Sequence, residues 1–170
     1  MVGVVPNAAY RHFAGRDELL AAVCTAAMRV LSDRMAAGVA QVQGQYGDPA
    51  AARGRLAAIG VAYLEFAREE PGLFATAFAV PQRHAYDTPD GGPEQDRNPL
   101  SQLRAALDEL VDAGVLDRRR RDGIEYPIWS AVHGMAVLAG EGPLRDVPEA
   151  ARHRFEERTL MFIDESLARD

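Results

Sequence analysis

Proton transfer or metal binding would first be sought among the histidines, and their spacing argues against both. His12, His84, His133 and His153 lie too far apart to define a site. No Cys/His pair stands at a ligand spacing. The lone cysteine, Cys24, cannot close an intramolecular disulfide, and it falls on the apolar side of an expected helix. Both facts fit a reducing compartment. There is no Gly-rich phosphate loop and no nucleophile elbow, and "DTPDGG" lacks the calcium-loop pattern. The expectation is no catalytic residue, no metal and no cofactor. A small all-α enzyme would need titratable groups converging on one cleft, and the sequence brings none together.

Two other groupings carry chemistry of a binding kind. The stretch "VPNAAYRHFAGRDELL" puts Asn7, Tyr10 and Arg11 on one side of a short helix and Ala9 and Phe13 on the other. Between Met1 and Arg16 the only charges are Arg11 and Arg16, both positive. Further along, Trp129 and His133 are four apart and share a helix face. They line a ligand pocket, with His133 as its polar group, or they are a packed Trp and a satisfied core His. Tyr63, Phe74, Phe78, Leu103 and Leu107 read equally as an apolar chamber or as ordinary core. The run Arg118 to Arg121 reads as a solvated turn. Glu156, Glu157, Asp164 and Glu165 read as the outer face of the last helix.

The elements that must position these residues are helical throughout. The chain has 170 residues, 48% of them hydrophobic, enough for one ordinary core. It is rich in Ala, which loses no side-chain entropy in a helix. No run of alternating β-branched residues suggests a strand. Seven helices are expected, over about 6–13, 16–42, 49–68, 72–80, 99–113, 122–140 and 148–168. Leu20, Cys24, Ala27, Leu31 and Met35 form the stripe of the second, and Leu56, Ile59, Gly60, Tyr63 and Ala67 that of the third. "PQRHAYDTPDGGPEQDRNP" reads as an exposed, mobile loop. No apolar run is long enough to span a membrane, and the start carries no signal-peptide pattern, so a cytoplasmic protein is expected. The net charge of −6 is a poor average for a nucleic-acid binder, although a local basic patch can sit on an acidic protein.

With these residues in view, "GVVPNAAYRHFAGRDELLAAV" resembles the end of the DNA-binding module of the tetracycline-repressor (TetR) family. The resemblance rests on Gly3 and Val4, on Tyr10 and Phe13, and on Arg16 before Glu18-Leu19-Leu20. "WSAVHGMAVLAGEG" is similar to the Trp-x-x-x-His-Gly signature of one C-terminal branch. Val5 departs from the Ser or Thr usual at the helix cap. The resemblance implies an all-α protein. Residues 1–20 would be a remnant helix-turn-helix, with its recognition helix at about 6–13, and residues 21–170 a ligand-binding and dimerising domain.

It implies base contact by Pro6, Asn7 and Ala8, phosphate contact by Tyr10, His12 and Arg16, and either by Arg11. It also implies a homodimer paired through the last two helices, with Val132, Phe155, Phe162 and Ile163 at the interface. A small, apolar effector would bind the helical body, and operator DNA would be the partner of the full-length parent. Two helices that precede the recognition helix in that family are absent before Met1. The expectation is therefore an N-terminally truncated chain that binds operator DNA poorly. The alternative is a ligand-binding dimer with no DNA role.

Overall fold

A computed structural model describes residues 13–78 and 98–168, and among them every regular element is a helix. In chain order these are α1 (Arg16–Gln41), α2 (Pro49–Glu69), α3 (Pro71–Ala77), α4 (Pro99–Asp112), α5 (Glu125–Gly140) and α6 (Glu149–Leu167), with a 3-10 turn at Arg118–Arg120. The expected recognition helix and most of the expected loop lie outside the described residues. None of the helices described is long and apolar enough to cross a membrane.

Helix boundaries follow local chemistry. Asp48 caps α2 by accepting from the Ala51 N–H at 2.7 Å, and Asn98 caps α4 by accepting from Ser101 N–H at 2.8 Å. A proline then occupies the first turn of each, where its missing N–H is harmless. Gly15 opens α1 without a side-chain cap, and the Glu18 carboxylate reaches back to the Ala14 N–H instead. Just past the end of α4, Gly114 takes a φ of 69° and turns the chain where a Cβ would be strained. α5 begins at Glu125, later than the Asp122 expected, because Gly123 takes a φ of 70° that cannot belong to a right-handed helix. α3 is shorter than its expected 72–80 span, with Phe78 already past its end.

α2 is the centre of the fold and packs against all five other helices. Its sequence suggests a single inner stripe. Burial extends well beyond that stripe to Ala51, Ala52, Ala62, Leu64 and Phe66, as a helix surrounded by neighbours requires. On α1 the predicted stripe is the buried one: Cys24, Ala27, Leu31 and Met35 are all nearly inaccessible. Cys24 donates from its thiol to the Thr76 carbonyl at 2.9 Å, tying α1 to α3.

Three carboxylates go into this core, each with arginine partners. Glu109 accepts from Arg55 and from the Gly47 N–H. Glu125 accepts from Arg104 at 2.9 Å and Arg121 at 3.0 Å. Glu156 accepts from Arg68 at 2.8 Å. Burial pushes the Glu125 carboxyl up, but its own backbone N–H, Arg104 and the charge of Arg121 outweigh burial and hold it below the usual range.

Two expectations need correction here. Glu156 is buried rather than on the outer face of α6, because Arg68 of α2 draws it inward. The arginine run is solvated only at Arg118 and Arg119. Arg120 donates to the Ser166 carbonyl at 2.6 Å, satisfying the last turn of α6, and Arg121 joins Asp108 to Glu125.

Candidate ligand cavity

Among the described residues, the helices border a cavity of about 300 Å³ between α1, α2, α4, α5 and α6. Native cores keep few voids larger than a water, and a cavity of about 150 Å³ already admits benzene. The largest share of its wall comes from α2, where Leu56, Ile59, Gly60 and Tyr63 follow each other at helical spacing. Leu100 and Leu103 of α4 face them. Ile128, Trp129 and Val132 of α5 and Leu160 and Ile163 of α6 complete the enclosure, with Met35 of α1. The surface offered is hydrocarbon almost throughout.

Polar groups enter at two places. At the rim, Arg53 and Asp164 pair with each other and join α2 to α6. Both are substantially exposed, so the pair adds little stability, but it leaves the mouth without net charge. Deeper in, Trp129 donates from Nε1 to the Tyr63 hydroxyl at 3.4 Å, and that hydroxyl lies 2.8 Å from His133 Nδ1. Behind Tyr63 sits an aromatic cluster. Tyr63 meets the Phe74 ring edge-on at 5.7 Å between centroids, and Phe78 meets His133 at 4.7 Å.

Burial among these rings pushes the His133 pKa below its ordinary 6.5. Folding therefore favours the neutral imidazole. The unfolded chain takes up a proton below pH 6.5 more readily than the folded one, so stability falls as pH drops through that point. The denaturant midpoint is expected to decline between pH 6.5 and 5.5 in the wild type. His133→Gln, which keeps a hydrogen-bonding group near Tyr63, should flatten that stretch. An equal slope in both proteins would assign the effect elsewhere.

Of the residues expected to bind ligand, Tyr63, Leu103 and Trp129 line the cavity. Phe74, Phe78 and His133 stand one layer back, in the cluster behind Tyr63, and Leu107 is fully buried core. Val132 and Ile163, expected at a subunit interface, are buried within this chain and face the cavity instead. Phe155 and Phe162 are 40% and 64% exposed. Arg16 is exposed at the start of α1. Pro6, Asn7, Ala8, Tyr10, Arg11 and His12 lie outside the described residues.

Sequence reasoning treated Leu56, Ile59 and Gly60 as ordinary core. Gly60 holds the signal that was available: a Cβ there would meet the Leu160 Cδ2 at 2.5 Å, so the glycine lets α6 approach while keeping the space open.

Residues 56–162 match the family described as "Tetracyclin repressor-like, C-terminal domain". A solved structure described as a protein with unknown function from Rhodococcus sp. RHA1 is similar, with a TM-score of 0.70 at 21% identity. The likeness covers 93% of this chain and 77% of that one, and at such an identity it concerns the fold. No curated protein matches the sequence.

Proposed function

The chain belongs to the tetracycline-repressor-like C-terminal domain family, and on that premise we propose that it is the sensing body of a ligand-responsive transcriptional regulator that acts on operator DNA as a homodimer, most simply as a repressor. The observation that carries the sensing role is the cavity of about 300 Å³ lined by α2, α4, α5 and α6. An uncharged, largely hydrocarbon molecule of roughly ten non-hydrogen atoms suits its size and lining.

The route from cavity to DNA is α1. Met35, near one end, touches the cavity, and Arg16 stands at the other end, about 28 Å away at 1.5 Å per residue. α3 offers a second link, since Tyr63 contacts Phe74 and Cys24 bonds Thr76. A ligand that fits one setting of α1 better than another shifts the spacing of two recognition helices, and only such differential affinity can do so. Contact with DNA would fall to Pro6, Asn7, Ala8, Tyr10, Arg11, His12 and Arg16.

The sensing role is tested by titrating the protein with 1-octanol and following Trp129, the only tryptophan. Saturable one-to-one binding with a change in Trp129 emission is expected. A flat emission and no binding heat would refute it.

Subunit pairing is ascribed to the outer faces of α5 and α6, where Val137, Leu138, Phe155, Met161 and Phe162 expose apolar surface. Sedimentation is expected to give a dimer mass, and Phe162→Glu should halve it, since a charge buried in a subunit interface is strongly unfavourable. An unchanged dimer mass in the variant would place the interface elsewhere.

A further inference from the structure

A second, smaller cavity of about 110 Å³ lies toward the C-terminal ends of α2 and α5 and the N-terminal half of α6. Its chemistry is opposite to that of the first. Three guanidinium groups and one carboxylate face it: Arg68, Arg145, Arg152 and Glu156. The rest of its wall is apolar, with Ala67, Ala136, Ala139 and Gly140 leaving space beside Leu64 and Pro71.

Two of the three arginines have carboxylates beside them, and the third does not. Glu156 is committed to Arg68 through Oε2 at 2.8 Å, and Glu65 stands 4.0 Å from the same arginine. Arg145 reaches only the adjacent Asp146, at 3.6 Å, and both are largely exposed. Arg152 has no ion-pair partner among the described residues, and its Nε is shut from solvent without a hydrogen-bond acceptor. The Nε itself is closed to a water-sized molecule, so an anion in the cavity would be held by the outer N–H groups of the guanidinium, in a protein whose net charge is −6.

We propose that this cavity binds phosphate, either the free ion, whose neutral-pH forms both carry a P–OH, or a small monoester taken up as its less abundant protonated monoanion. Guanidinium forks match the spacing of phosphate oxygens. The volume equals about three to four waters at roughly 30 Å³ each, which suits one phosphate group and excludes a nucleotide. Arg152 and Arg145 donate to its oxygens. Glu156, whose Oε1 has no donor among the described residues, accepts from the P–OH. That last contact selects phosphate over sulfate, which has no proton to give at neutral pH. The bound anion would tie the start of α6 to the α2–α3 corner, and it is independent of the regulator reading.

The test is calorimetric titration with sodium phosphate against sodium chloride of matched ionic strength, with sodium sulfate and glycerol 3-phosphate as further arms. Saturable phosphate binding is expected, with sulfate at least about ten-fold weaker, the factor that one charge-assisted hydrogen bond confers. Tighter glycerol 3-phosphate identifies a monoester site, and tighter inorganic phosphate a free-ion site. Arg152→Gln and Arg145→Gln should each weaken binding by about ten-fold or more, while Arg119→Gln, on an exposed arginine outside the cavity, leaves it unchanged. Arg145 is largely exposed, so its variant tests the site even if Arg152→Gln disturbs the fold. No binding above the chloride control, sulfate equal to phosphate, or unaltered affinity in both cavity variants would overturn the proposal.

Discussion

Replacing Arg55 with methionine is expected to lower the unfolding free energy by about 3–5 kcal/mol, the usual cost of stranding one member of a buried ion pair. Arg55 is largely covered, and Glu109, its partner on α4, is almost entirely so. The guanidinium also donates to the Gly44 carbonyl at 2.6 Å, and Glu109 accepts from the Gly47 N–H at 3.1 Å. One ion pair thus pins the turn between α1 and α2 to α4. Methionine keeps the apolar stem of the side chain but none of its donors, so Glu109 is left in a nearly dry site with a single backbone N–H. Urea unfolding measures the loss. Adding Glu109→Met to the Arg55 variant should recover most of it, because an apolar pair no longer carries the desolvation penalty of a lone charge. A loss below about 1 kcal/mol in the single variant would mean the pair behaves as a surface contact.

The second large effect concerns binding rather than stability. Gly60→Val is expected to weaken 1-octanol binding by about thirty-fold while changing the unfolding free energy by less than about 1.5 kcal/mol. A Cβ at position 60 would meet Leu160 Cδ2 at 2.5 Å. The obstacle is the tip of a flexible side chain, and the cavity beside it has room to receive that tip. Overpacking costs are therefore small, and leaving glycine improves helix propensity. The ligand bears the consequence. Valine adds three carbons to the wall, and each ligand methylene denied burial forfeits about 0.8 kcal/mol, so roughly 2 kcal/mol is lost in all. Comparable affinity in wild type and variant would show that octanol binds somewhere else.

Much of the helical frame was legible in the residues. The helix starts expected at 49 and 99 are where α2 and α4 begin, and the stripe from Cys24 to Met35 is the buried face of α1. Tyr63 and Trp129 read either as pocket or as packed core by residue type, and both stand at the cavity wall. What escaped depends on partners distant in sequence. Glu156 resembles a surface residue until Arg68, 88 positions earlier, is brought beside it. Arg121 resembles part of a solvated run until Asp108 and Glu125 flank it. Val132 and Ile163 are expected at a subunit surface only through the family resemblance, because an apolar residue on either of the last two helices has no intrinsic label for which neighbour it meets. The cavity itself has no sequence signature, since a lining leucine and a core leucine are the same residue. Only Gly60, an unexpectedly small side chain in an apolar stripe, marked where space was being kept.

The claim on which the account rests is that the space between α2, α4, α5 and α6 is a ligand site, and a crystal structure with 8-bromo-1-octanol tests it most directly, because anomalous scattering locates the bromine without reference to any assumption about the site. The account predicts one strong bromine peak enclosed by Leu56, Leu103, Trp129 and Leu160. A peak found only on the outer face of α6 beside Phe162, or no peak in a crystal saturated with the compound, would contradict it.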